Sequence, residues 1–256
     1  MNNAALVIAQ FGNGWPYLDL WLSSVARQNM DVLFFTDYNF DTPPPPNVKV
    51  HKCTMNDVFD RAEKIYGLKF KSRYPYKLCD LKSFYGKIFE DELKDYEYWG
   101  YGDSDVVYGK LPAFGDLELY CAKHQRPDIE LVKSAKPVGR WFIPGHFVMM
   151  TNDDRGRRIL EHLPTARDLL EEGTNNYIDE WLVPTVLIHE YGLGAGGIKA
   201  QDYGYIEDKS IDCTDGVLRV DNQEFNYIHW YTYKDKVKTP NWNDIPATFN
   251  LKDYLH

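Results

Sequence analysis

From Ala4 to Phe11 the chain carries a nearly unbroken apolar run, Ala-Ala-Leu-Val-Ile-Ala-Gln-Phe, closed by Gly12-Asn13-Gly14. Such a run predicts a central strand covered on both faces and passing into a loop. Pro16 then suits a first helical turn, and Leu18, Leu20, Trp21, Leu22, Val25 and Ala26 supply a helical stripe. A second apolar strand is expected over Asp31 to Thr36, ending in Asp37. Strand, helix and strand in so short a span predict a parallel unit with a right-handed crossover. The prolines from Pro43 to Pro46 read as a stiff connector, Val48 to His51 as a third strand, and Thr54 to Tyr66 as a helix opened by Thr54 or Asn56 and closed by Gly67.

The segment Arg73 to Lys82 leads into a predicted helix from Leu81 to Phe89, and Lys77 and Lys82 could face an anion at its start. After a charged tract, Tyr98-Trp99-Gly100-Tyr101-Gly102 reads as a buried strand, and it ends abruptly in Asp103-Ser104-Asp105. Further on, Phe147 to Thr151 predicts a strand, and Asn152 and Asp153 cap a helix reaching Leu163. Tyr177 to His189 reads as a helical pattern carrying Asp179 and Glu180 near its start, and Pro184 inside it implies a kink or a later helix start. Phe225 to Trp230 is strand-like and carries His229. Gly192 to Gly197 satisfies G-x-G-x-x-G formally, but it follows a helical pattern instead of a strand, so a flexible loop is expected and a dinucleotide site is not.

In parallel sheets ligands bind beyond the carboxyl ends of the strands. Those ends here offer Gln10, Phe11 and Asp37 as contacts for a nucleoside, with Phe11 or Tyr38 able to stack on a base. Asp103 and Asp105, two apart on an extended backbone, can present their oxygens to one hard cation if the chain kinks at the strand end. Alone, an Asp-x-Asp is more often an ordinary polar turn.

Composition narrows the classes. The 256 residues carry a formal net charge of −9 without a block of Lys or Arg, which argues against nucleic acid as the main partner. Cys53, Cys79, Cys121 and Cys213 are scattered without C-x-x-C spacing, and no secretory leader is visible, so reduced thiols in a cytoplasmic protein are expected. No apolar stretch approaches the roughly 18 residues of a spanning helix, which leaves peripheral membrane association open. Nineteen Tyr and seven Trp exceed ordinary core needs, and rings with polar tips suit sugars or bases.

Two phrases, Tyr-Pro-Tyr-Lys-Leu-Cys-Asp-Leu-Lys (Tyr74 to Lys82) and Tyr-Trp-Gly-Tyr-Gly-Asp-Ser-Asp (Tyr98 to Asp105), together with the late His229-Trp230 and following lysines, resemble glycosyltransferases of the GT-A fold. In layout the chain resembles family eight, and in wording small enzymes of bacterial and viral surface polysaccharide synthesis. The resemblance implies an α/β, Rossmann-like, mostly parallel central sheet flanked by helices, with a smaller acceptor-side region. It implies one domain over residues 1–256, with residues 1–108 binding the nucleotide-sugar and residues 109–256 binding the acceptor and closing the metal site. By the same resemblance, Asp103, Asp105 and His229 ligate Mn2+ or Mg2+. Lys77 and Asp80 lie beside the donor, a UDP- or GDP-sugar, and Lys234 or Lys236 meets its phosphates. Asp179 or Glu180 contacts the transferred sugar or acceptor and is the candidate general base. The tail departs from family eight: Lys238-Thr239-Pro240-Asn241-Trp242 replaces its Lys-Pro-Trp spacing, which leaves the choice of lysine open.

The leading expectation is therefore a metal-dependent glycosyltransferase with a carbohydrate acceptor, retaining or inverting. The alternatives are a nucleotidyltransferase or metal phosphohydrolase using the same aspartates, and a non-catalytic carbohydrate-binding protein. Arg140, His146 and Gln201 are further candidate sugar contacts.

Overall fold

A computed structural model of the protein describes residues 2–12, 15–122, 124–125, 141–180, 186–202, 209–229 and 236–254. The chain opens with β1 (Ala4–Ala9), α1 (Leu18–Val25), β2 (Asp31–Thr36), β3 (Val48–Lys52) and α2 (Met55–Tyr66). A 3-10 helix, Pro75–Phe84, runs into α3 (Tyr85–Ile88) and α4 (Glu90–Leu93). Then come β4 (Tyr98–Gly102), β5 (Val106–Tyr108), β6 (Leu119–Cys121), the short pair β7 (His124–Gln125) and β8 (Trp141–Phe142), and β9 (Phe147–Thr151). Helices α5 (Asp154–Arg157), α6 (Ile159–His162) and α7 (Pro164–Glu171) lead to a π-helical turn, Val186–Glu190. The remaining strands are β10 (Ala195–Gly197), β11 (Ala200–Asp202), β12 (Ile211–Thr214), β13 (Val217–Val220), β14 (Gln223–Phe225), β15 (Tyr227–His229) and β16 (Phe249–Asn250).

A seven-stranded sheet in the order β10-β6-β9-β4-β1-β2-β3 forms the centre, and only β9 runs against its neighbours. Alternate side chains of each central strand enter different cores. Ala5 and Val7, Leu33 and Phe35, Trp99 and Tyr101, and Val148 and Met150 face the 3-10 helix and helices α2, α3, α4, α6 and α7. Ala4, Leu6 and Ile8, Val32 and Phe34, and Phe147 and Met149 face α1. Burial on both faces is why β1 and β2 read as continuous apolar runs instead of alternating ones. Together these elements make a mixed α/β fold whose central sheet is mostly parallel and flanked by helices. A third core lies under the four-stranded antiparallel sheet β14-β13-β12-β16. No helix among the described residues is long and apolar enough to cross a membrane.

Local chemistry explains most boundaries. Thr54 and Asp57 form a reciprocal capping box at the start of α2, and Gly67 ends it with φ 64°. Asp153 caps α5 by accepting from the Arg155 and Gly156 amides. Three expectations change. The helix predicted from Leu81 starts earlier, at Pro75, and winds as a 3-10 helix; Leu81 through Phe84 are all buried, so no amphipathic stripe with an α-helical period exists to read. A helix cannot begin at Tyr177, whose φ of 52° is left-handed. The glycine run contributes a strand, since Ala195–Gly197 pairs in parallel with β6 at the sheet edge through backbone bonds that need no side chains.

Gly100 sits opposite Met149 in the β4–β9 ladder, and a Cβ there would lie 2.1 Å from the Val148 carbonyl oxygen. The obstruction is backbone of a central strand and cannot swing aside. Gly100→Ala is expected to destabilise the protein by about 1–3 kcal/mol, seen as a lower melting temperature; an unchanged melt would mean that β4 and β9 pack more loosely than described.

Candidate functional site

Strands β1, β2 and β4 run parallel, so their carboxyl ends share one edge of the sheet, and the chain after β4 leaves that edge for a second sheet, β11-β15-β5. The Asp103-Ser104-Asp105 turn lies at this switch. Register then fixes its company. Antiparallel pairing of β5 with β15 sets Val106 opposite His229, which brings the imidazole beside Asp105, with His229 Nε2 3.5 Å from Asp105 Oδ1. Pairing of β4 with β9 sets Gly102 opposite Phe147 and lets the Asp103 amide donate to the His146 carbonyl at 3.1 Å. The His146 ring stacks on that of His229, with centroids 3.6 Å apart and planes 27° from parallel. Parallel pairing of Val7 with Tyr101, carried three residues on, aligns Gln10 with Ser104, and the Ser104 hydroxyl donates to Gln10 Oε1. Ser104 is thus a tie between the turn and the end of β1, a role that its small size in the sequence does not reveal.

One ligand atom from each of Asp103, Asp105 and His229 lies within 4.8 Å of the other two. Two donors sharing an ion at bond lengths of about 2.0–2.3 Å lie roughly 3–4.5 Å apart, so the triad fits a divalent cation with little adjustment. Two carboxylates and an imidazole suit manganese at least as well as magnesium.

Above the triad is a cavity of about 370 Å3 whose wall includes Gln10, Phe11, Lys82, Asp179 and Glu180. Lys82, on the 3-10 helix, is nearly fully buried. Its ammonium lies 2.6 Å from Asp103 Oδ1 and 3.6 Å from Asp179 Oδ2, and donates to the Gly145 carbonyl at 3.3 Å. Burial disfavours that charge, but Asp103 and Asp179 outweigh it and hold the Lys82 pKa well above its ordinary value. Burial pushes the Asp179 carboxyl up to about 8, opposed by Lys82 and reinforced by Glu180; burial likewise raises Glu180. Asp179 Oδ1 is buried with no hydrogen-bond partner among the described residues. Gly145 is required beside it, because a Cβ there would stand 2.3 Å from Asp179 Oδ2.

Of the candidate residues, Asp103, Asp105, His229, Gln10, Phe11, Asp179, Glu180 and His146 surround this one cavity. Asp37 does not line it; its carboxylate accepts from the Gly12 amide at 2.8 Å, which fixes the turn after β1. Lys77 and Asp80 are elsewhere. Both are fully buried, and the Lys77 ammonium donates to Asp80 Oδ2 and to the Leu169 and Thr174 carbonyls, so it braces the fold and does not face a donor. Of the two lysines in that phrase it is Lys82, one 3-10 turn and more further on, that enters the cavity. Lys236 is exposed and does not line the cavity, because the next residue, Val237, is drawn into the third core. Lys234, Arg140 and the side chain of Gln201 lie outside the described residues.

Comparison with known proteins gives three findings. The model of a family of unknown function, DUF6625, matches residues 6–236. No curated protein matches the sequence. Among solved structures, the apo form of mouse xyloside xylosyltransferase 1 is similar at 10% identity, covering 90% of this chain and 97% of that one, with a TM-score of 0.42.

Proposed function

The chain belongs to the family of unknown function DUF6625, and we propose that it is a metal-dependent glycosyltransferase moving a sugar from a nucleotide donor to a carbohydrate acceptor. One observation carries this reading: Asp103, Asp105 and His229 converge within 4.8 Å beneath a cavity at the carboxyl edge of a parallel sheet. A divalent cation bound there would stabilise the negative charge that develops on a departing nucleoside diphosphate. The protein's own groups do the rest. Gln10 and Phe11 take the nucleoside beyond β1, with Asp37 holding the Gly12 turn. Lys82 keeps the Asp103 and Asp179 carboxylates together while adding a positive charge to the cavity wall. Asp179 and Glu180 face the transferred sugar, and an inverting transfer would use one of them as the base that accepts the acceptor hydroxyl proton. Residues 1–108 supply most of the donor side and residues 109–256 the acceptor side and His229, and the resemblance in sequence favours a role in surface polysaccharide or glycan synthesis.

Thermal unfolding with UDP, GDP and their hexose conjugates, each with and without manganese, tests the reading. A ligand at about a hundred times its Kd stabilises by about 2.7 kcal/mol, so a shift of roughly 5–10 °C is expected for one nucleotide series and only with the metal. No shift with any of them overturns the proposal. Pyrophosphate released from a sugar nucleotide would point to a nucleotidyltransferase, and the anomeric configuration of the product separates inversion from retention.

A further inference from the structure

Only three large hydrophobic side chains are exposed among the described residues, Ile65, Tyr76 and Tyr177, and both tyrosines line the mouth of the cavity. Each keeps more than half of its surface in solvent, 59% for Tyr76 and 58% for Tyr177. Their placement is imposed by the fold. Tyr177 has a left-handed backbone, φ 52°, and the other non-glycine residues there among the described residues are Asp215, Asp221 and Asn222, types that tolerate it. A tyrosine gains nothing locally from that conformation, so something else must hold it.

What holds it is the buried Lys77–Asp80 pair. Asp80 accepts from the backbone amides on both sides of Tyr177, Asn176 at 3.0 Å and Ile178 at 3.2 Å. Lys77 donates to the Thr174 carbonyl at 2.8 Å, and the Asn175 side chain accepts from the Tyr177 amide at 3.1 Å. The loop is therefore clamped at residues 174, 176 and 178, with Ile178 buried in the core and the Tyr177 ring left outside. Tyr76 sits between Pro75 and Lys77 on the 3-10 helix that also carries Asp80. The same 3-10 helix thus sets both exposed rings on the wall of the cavity that the buried Asp179 also lines.

We propose that Tyr76 and Tyr177 form an aromatic platform that binds a pyranose ring through its apolar C–H face, and that Lys77 and Asp80 are the positioning residues that present it. A ring with a polar tip suits a sugar, which offers one apolar face and a rim of hydroxyls. Calling that sugar the acceptor rests on the glycosyltransferase reading; the platform itself does not.

The test uses saturation-transfer NMR on the full chain with UDP and magnesium present, and with methyl β-glucopyranoside, methyl β-galactopyranoside and lactose as probes. Binding of at least one probe is expected, with the strongest transfer to the ring C–H protons of one face. Tyr177→Ala and Tyr76→Ala are each expected to weaken it about tenfold, while Tyr177→Phe keeps most of it and all three keep the UDP–manganese thermal shift. Asp80→Asn, which weakens the clamp without touching a ring, should lose probe binding in proportion to its effect on the loop amides, read as faster hydrogen exchange at Asn176 and Ile178. Undiminished binding in both alanine variants overturns the platform, as does binding of no probe by a wild-type protein that responds to UDP and manganese. Loss of the UDP shift in an alanine variant also overturns it, because the rings would then hold a nucleobase. Probe binding that depends on the tyrosines, in a protein that shifts with neither UDP nor GDP in manganese, supports the platform and removes the donor reading instead.

Discussion

Asp105→Ala is expected to raise the manganese concentration needed for the nucleotide-dependent thermal shift by about a hundredfold or more, and to abolish sugar transfer at ordinary metal concentrations. On the proposed reading Asp105 is one of three candidate ligands that converge among the described residues, and removing it would leave Asp103 and His229, too few to hold a hard cation against water. Folding should survive. Asp105 lies in the turn between β4 and β5, and its near neighbour His229 remains stacked on His146. In the absence of metal, relief of the repulsion between two close carboxylates and loss of the 3.5 Å contact with His229 act in opposite directions, so the melting temperature should stay close to that of the wild type. That contrast separates a ligand from a structural aspartate. Unchanged metal dependence, or a lower melting temperature without metal, would show that Asp105 serves the turn and not a cation.

Lys77→Met is expected to cost about 3–5 kcal/mol of stability, a large share of the roughly 5–15 kcal/mol that holds a folded domain together. Lys77 and Asp80 are both fully buried, and all three protons of the ammonium are used, on Asp80, Leu169 and Thr174. Methionine fills the same space but leaves the Asp80 carboxylate without its counter-charge and two carbonyls without a donor. The melting temperature should fall by roughly 6–20 °C. Adding Asp80→Asn should recover part of the loss, because the introduced carboxamide is neutral and no longer an orphaned charge, although its one oxygen holds the Asn176 and Ile178 amides more weakly than the carboxylate does. A double variant no more stable than Lys77→Met alone would assign the cost to the lost carbonyl bonds instead of the orphaned charge.

How much of this was legible depended on whether a residue's role was local. The strands β1 and β2 were readable because burial on both faces leaves uninterrupted apolar runs, and α2 was readable because its cap and its terminal glycine lie within the helix itself. Asp103 and Asp105 stood out for a similar reason, being charges at the end of an apolar run. The lysines show the opposite case. Lys77 and Lys82 lie five residues apart in one phrase, both on the same 3-10 helix, and nothing local says which of them enters the cavity. The structure turns Lys82 toward Asp103 and Asp179 and Lys77 toward Leu169 and Thr174, because the 3-10 winding directs them to different neighbours. The apolar residues after Tyr177 predict a helix opening there. The left-handed backbone of Tyr177 comes from Asp80, nearly a hundred residues earlier, and no local propensity carries that information.

By itself, then, the sequence determined a chain that alternates buried parallel strands with helices, and it placed two carboxylates at the end of one of them. Those features follow from hydrophobic burial and backbone geometry acting over a few residues at a time. Tertiary structure decided what those carboxylates meet. The β5–β15 register brings His229 to Asp105, the β4–β9 register brings His146 behind it, and the loop clamped by Asp80 brings Asp179 and Tyr177 to the same cavity. Each of these contacts joins segments dozens of residues apart, so each is set by strand pairing and buried hydrogen bonds that exist only once the chain has folded.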